Sequence, residues 1–123
     1  MPFADSARAA LQNLNADDPM RVVLEYLLHH GLGRANAHPW PDIEAHLATQ
    51  DIKMSQTQFQ QGILADTRSG DIFIGSNDHR PRGYFLIQNR CDFDAAREFY
   101  ARRIAAQQTN LHHLDALLAQ SNI

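Results

Sequence analysis

Few residues in this chain have types and spacing suited to chemistry. Asp92 and Asp94 are close carboxylates, but they stand where a helix begins, and there acids cap N–H groups and complement the dipole rather than shuttle protons. His29-His30 and His112-His113 are adjacent pairs. On a helix such neighbours point about 100° apart, whereas a helical zinc pair needs i, i+3 or i, i+4 spacing with further ligands. His30 reads instead as a partly buried residue of its helix. Cys91 has Arg90 beside it, and a cation can favour a thiolate, yet no nucleophile motif surrounds it. No catalytic site, no metal site and no cofactor follows from these residues. The remaining cluster is of another kind. Gln56, Gln58, Gln60 and Gln61 fall within six positions. Glutamine can pair with adenine N6 and N7 in a major groove. Arg80 and Arg82 have the type that grips phosphates or enters a minor groove.

The elements that must hold these residues are readable in outline. A weak helix, Ser6 to Leu14, places Ala7, Ala10, Leu11 and Leu14 on one face. Asp18-Pro19 reads as an N-cap followed by proline at the first helical position. From Pro19 to His30, Val23, Tyr26, Leu27 and His30 recur at helical spacing. Gly31-Leu32-Gly33 stops this helix, because glycine tolerates the left-handed conformation that follows a helix end. Residues 33–39 read as a loop. Pro39-Trp40-Pro41 opens another helix, with Ile43 and Leu47 facing inward up to about Thr49. Residues 50–54 form a turn whose Ile52 and Met54 plug the core.

Ser55-Gln56-Thr57-Gln58 fits a capping box, so a helix starts at Ser55 and runs to about Arg68. Phe59 and Ile63 share its buried face. Gly62 permits close approach of a neighbour. Thr57, Gln61 and Arg68 point outward. Ile72-Phe73-Ile74 and Gly83 to Ile87 are rich in β-formers, and the turn-forming residues between them predict a hairpin. Asp92 caps a last helix from Phe93 to about Ala119. Its seam of Phe93, Ala96, Tyr100, Ile104, Gln107, Leu111, Leu114 and Leu118 advances by steps of three and four. Such a helix is about 40 Å long, more than the rest of the chain can cover.

This order, helices followed by a hairpin with a basic tip, resembles the winged helix–turn–helix family over roughly residues 18–87. The Gly83-Tyr84-Phe85-Leu86-Ile87 strand and the capped helix after it are similar to those of small bacterial and prophage winged-helix proteins. The resemblance implies a mainly α fold with one β-hairpin, a winged helix–turn–helix plus a long C-terminal helix. It divides the chain into an N-terminal arm (1–17), a winged domain (18–90) and a dimerisation helix (91–123). It implies a transcriptional regulator, phage-related in setting, that reads double-stranded DNA with the 55–68 helix and the 75–83 wing. Lys53, Gln56, Thr57, Gln60, Gln61, Arg68, Arg80 and Arg82 would touch DNA. The uncovered seam, Tyr100, Ile104, Leu111, Leu114 and Leu118, implies a homodimer, parallel or antiparallel. The N-terminal helix is a second candidate to cover that seam. A winged helix that binds only a protein partner is the alternative. An enzyme is the third reading, disfavoured because no catalytic constellation is present.

Composition bounds these readings. The 123 residues suit one domain, and 44% hydrophobic with 20% charged residues excludes a disordered polymer. One cysteine, no signal-like N-terminus and no long apolar run point to a cytoplasmic protein with no membrane contact. The formal charge of −3 excludes a basic coat for nucleic acid. That charge is uneven. Residues 1–75 sum to −4, residues 76–105 to +2, and Asp115 adds −1. The positive block holds the hairpin tip and the start of the last helix. Its Arg97, Arg102 and Arg103 read first as a solvated face or as partners of Asp94 and Glu98, with an extension of the wing's positive surface as the functional alternative.

Overall fold

The computed structural model describes residues 4–69 and 72–121, with the side chains of Arg68 and Ser69 outside the described set. Among the described residues the chain is mainly helical, with five helices and one antiparallel hairpin. Helix α1 spans Asp5–Leu11 and packs against α2, Pro19–His30. Among the described residues it packs on α2, while residues 101–121 of the last helix stay exposed. Arg21 fixes the join, its guanidinium donating to the carbonyls of Leu11 and Leu14 at 2.8 and 2.7 Å. Asp18 caps α2 as predicted, accepting from the Met20 N–H at 2.9 Å. The Gly31-Leu32-Gly33 stop does end α2, but Gly31 at the helix end has φ −124° and is not left-handed. A Cβ at Gly31 would sit 2.6 Å from Leu27 Cδ2. The positive φ, +85°, belongs to Gly33.

Residues 31–38 are more than a loop. A short 3₁₀ turn, Arg34–Asn36, separates two single-residue bridges to the hairpin. Leu32 pairs in parallel fashion with Leu86, and His38 antiparallel with Tyr84. Helix α3, Trp40–Thr49, then buries Ile43 and Leu47. Ile52 and Met54 pack partly against the core, as predicted.

Helix α4 covers residues 56–69 in three parts: α-helical Gln56–Gln58, π-helical Phe59–Leu64 and α-helical Ala65–Ser69. Ser55 accepts from the Gln58 N–H, and the Gln58 side chain accepts from the Ser55 N–H, completing the capping box. The wider π turn lets Phe59, Ile63 and Leu64 all face the core. It also brings Thr67 to a buried position, where its hydroxyl donates to the Leu64 carbonyl at 2.9 Å. Gly62 does not serve a close approach, since a Cβ there would meet nothing within 4 Å.

Strand β1, Ile74–Asn77, pairs with β2, Gly83–Leu86, in the register Ile74↔Leu86 to Asn77↔Gly83. The first strand lies later than the apolar run 72–74 predicts, because the loop needs only residues 78–82. Asn77 closes it, donating to the carbonyls of Pro81 and Arg34 at 3.0 and 2.9 Å.

Helix α5 runs Arg90–Ser121. It begins earlier than predicted because Asn89, not Asp92, is its cap, accepting from the Asp92 N–H at 2.9 Å. At 32 residues it is about 48 Å long. Ala96 and Phe99 are its buried apolar contacts with the body. The rings of Phe73 and Tyr100 meet edge to face at 5.9 Å. Every residue from 101 to 121 is exposed. Among the described residues, no helix is long and apolar enough to cross a membrane.

The core is one cluster between α1, α2, α3, α4 and the hairpin, centred on Leu24, Leu27, Ile43, Leu47, Phe59 and Leu86. A smaller cluster of Ala37, Phe85, Ile87 and Ala96 seats α5 on the outer face of the hairpin.

Candidate functional site

Tyr84 organises the cleft between the hairpin and α4. Its backbone lies opposite Ser76 of β1 on one side, and on the other exchanges two hydrogen bonds with His38: its carbonyl accepts from the His38 N–H at 2.9 Å and its N–H donates to the His38 carbonyl at 2.8 Å. Its ring stands edge-on to Phe59 at 4.9 Å, and Phe59 in turn packs against Trp40 at 5.0 Å. This aromatic series fixes α3, α4 and the hairpin at one angle. The Tyr84 hydroxyl then accepts from the side-chain amides of Gln56 and Gln60, each at 3.1 Å.

Around that hydroxyl opens a cleft of about 530 Å³ between α4, the hairpin and α5. Gln56 and Gln60 form one wall, Arg82 and Asp78 another, and Tyr100 and Arg103 the third. Three of the eight residues predicted to touch DNA, Gln56, Gln60 and Arg82, are thus brought together. Each Gln amide keeps its carbonyl oxygen and one N–H beyond the bond to Tyr84.

The other predicted contacts are distributed differently. Thr57 and Gln61 are exposed on α4 but do not line the cleft. Arg80 faces a separate depression on the far side of the hairpin, with Arg34, Glu98 and Arg102. Lys53 lies in a shallow surface beside Glu44 and Asp51. Arg68 falls outside the described side chains.

Arg103 lies beside the hairpin, as the alternative reading of the last helix's arginines has it, but no sequence signal places it in one cleft with Gln56 and Gln60. Its guanidinium lies over the Phe99 ring, 4.3 Å from the centroid. Such stacking on an aromatic face leaves the N–H fork directed outward. Arg102 pairs with Asp78 at 3.4 Å and not with Glu98. Arg90 takes Asp94 at 2.9 Å. Both pairs are exposed and contribute little to stability.

The histidines behave less simply than predicted. His30 is exposed, not partly buried. It borders a polar cluster on the opposite side of α3. His38 Nε2 donates to the His30 carbonyl at 2.8 Å. His38 Nδ1 lies 3.1 Å from Asp42 Oδ2 and 3.2 Å from the Tyr26 hydroxyl. His46 stacks on the Tyr26 ring at 4.8 Å. Desolvation by partial burial, then the Asp42 carboxylate, push the Tyr26 phenol above its ordinary value of 10.0. A raised phenol is protonated at neutral pH, so Tyr26 offers no phenolate nucleophile there. Among the described residues no group of histidines, cysteines and carboxylates could hold a metal ion.

Comparison with protein-family models, curated proteins and solved structures finds no match to this chain.

Proposed function

We propose that this chain is a winged-helix regulator that docks duplex DNA against the cleft between α4 and the hairpin. One observation carries the reading: Gln56, Gln60, Arg82 and Arg103 converge on that single cleft. The amides supply base-edge donors and acceptors, and the two guanidiniums supply phosphate contacts. Helix, helix, helix, hairpin is the element order on which the winged-helix resemblance rests. The local surplus of arginine offsets the overall charge of −3, which limits non-specific affinity.

A protein-only role is the second reading, and Asp78 favours it. This carboxylate stands in the cleft wall, where it opposes a phosphate even though Arg102 partly neutralises it.

Fluorescence titration against mixed-sequence duplex at low and then higher salt decides between them. The DNA reading expects binding that weakens with salt. Arg82→Ala with Arg103→Ala should flatten the salt slope by roughly 0.9 for each phosphate that is no longer neutralised. Undetectable binding at low salt, or a slope unchanged in that variant, sinks it.

A further inference from the structure

The two halves of α5 have matching apolar features. Where the first half lies on the body, Phe93, Tyr100 and Ile104 floor a largely apolar groove of about 480 Å³, and Phe73 and Ile87 form its far wall. The same helical face continues past the body as Leu111, Leu114 and Leu118, all more than half exposed. Leu117 widens this stripe. It stands eighteen positions after Phe99, about five turns, and so projects on the side that faces the body earlier in the helix.

We propose that the groove receives the C-terminal half of α5 from a second copy of this chain, running antiparallel. Leu118 of the second copy lies beside Tyr100, its Leu114 beside Ile104 and its Leu111 beside Gln107. The steps from Tyr100 to Leu118 are four, three, four, three and four, so each layer finds a partner when the helix is reversed.

Two observations select this orientation over a parallel one. The first is shape. A two-fold axis perpendicular to the helices keeps the body and Leu117 on the same side, so Leu117 of each copy meets the Phe73 and Ile87 wall of the other. A parallel pair sets groove against groove and strands the leucines beyond both bodies. The second is charge. The first half of α5 carries four arginines against Asp92, Asp94 and Glu98, a net +1 with Arg102 and Arg103 nearest its middle, whereas the second half carries Asp115 and the negative end of the helix dipole. Antiparallel pairing brings these opposite charges together; parallel pairing places arginines beside arginines.

Light scattering on the full chain at tens of micromolar should give twice 13.9 kDa. Leu114→Asp with Leu118→Asp should reduce this to the monomer while the circular-dichroism signal of the helices persists. Orientation is read by oxidative cross-linking in a Cys91→Ser background. Ile104→Cys mixed with Leu114→Cys should form a disulfide-linked heterodimer. Leu118→Cys alone should not cross-link, since its two copies stand about 27 Å apart, eighteen residues of helical rise. A monomeric mass for the native chain, a dimer that survives the double aspartate variant, or ready self-linking of Leu118→Cys overturns the proposal.

Discussion

The carboxylate of Asp92 accepts the backbone N–H of Arg34, 58 positions earlier, at 3.1 Å. Its other oxygen accepts the N–H of Gln88 at 2.9 Å. Asp92 is only 4% exposed, so it ties the turn after α2, the end of the hairpin and the first turn of α5 at one buried point. Asp92→Ala leaves two backbone donors without this acceptor and should cost about 2–3 kcal/mol. Asp92→Asn keeps one acceptor oxygen and should cost less. Urea denaturation of both variants checks the order; equal costs would mean that only packing matters at this position.

Gly83 cannot be replaced. Its φ is +129°, and a Cβ there would land on the backbone carbonyl of His38. Gly83→Ala should destabilise by roughly 3 kcal/mol or more, because the colliding atoms are backbone and part of the bridge to Tyr84. A thermal midpoint within a few degrees of wild type would contradict this.

Gly62 makes the opposite case. It is helical, its φ is not positive and its side-chain position is open. Gly62→Ala restricts the unfolded chain and should stabilise by about 0.5–1 kcal/mol. Differential scanning calorimetry reads the gain, and a lowered midpoint counts against the open-space geometry.

Tyr84→Phe removes the acceptor shared by Gln56 and Gln60 while keeping the ring on Phe59. Both amides are exposed enough to take up water, so the cost should be only about 1 kcal/mol. NMR should show the two side-chain amide resonances moving together. Movement of one alone would show that the hydroxyl holds a single partner.

Tyr26 sets an alkaline limit. Its phenol is raised in the folded chain, so its contribution to stability is complete below pH 10.0 and is lost as pH climbs through the folded value. Phenolate absorbance should show a late titration in the wild type that disappears in Tyr26→Phe. Asp42→Asn should bring that titration partly back down, since Asp42 is the smaller of the two causes. No late component, or one insensitive to Tyr26→Phe, would refute the assignment.

Local signals in the sequence were reliable where one residue determines one bond. Asp18-Pro19, the Ser55 and Gln58 capping box, and the inward pairs Ile43 with Leu47 and Phe59 with Ile63 all stand as read. Failures occur where tertiary contacts reassign a residue. Asp92 looks like a cap, but the buried N–H groups of Arg34 and Gln88 take its carboxylate and Asn89 caps instead. Leu32 and His38 look like loop residues, because two single bridges around a 3₁₀ turn leave no alternation to detect. The π turn is invisible to a 3.6-residue period, which hides the inward positions of Leu64 and Thr67. The cleft was half legible: Gln56, Gln60 and Arg82 come from local pattern, whereas Arg103 depends on where α5 crosses the hairpin.

The bridges from Leu32 and His38 give β2 a neighbour on each side, so the hairpin is braced against the segment after α2 as well as against β1. A free two-stranded hairpin is at best marginal in water and would have to be ordered by whatever it met. Here that ordering is complete before any encounter. A ligand seated on Arg82 and Tyr84 therefore spends little binding energy in fixing the loop, and its affinity depends chiefly on the contacts it makes. The same rigidity restricts choice: this surface selects partners by the shape it already has and cannot remodel itself around them.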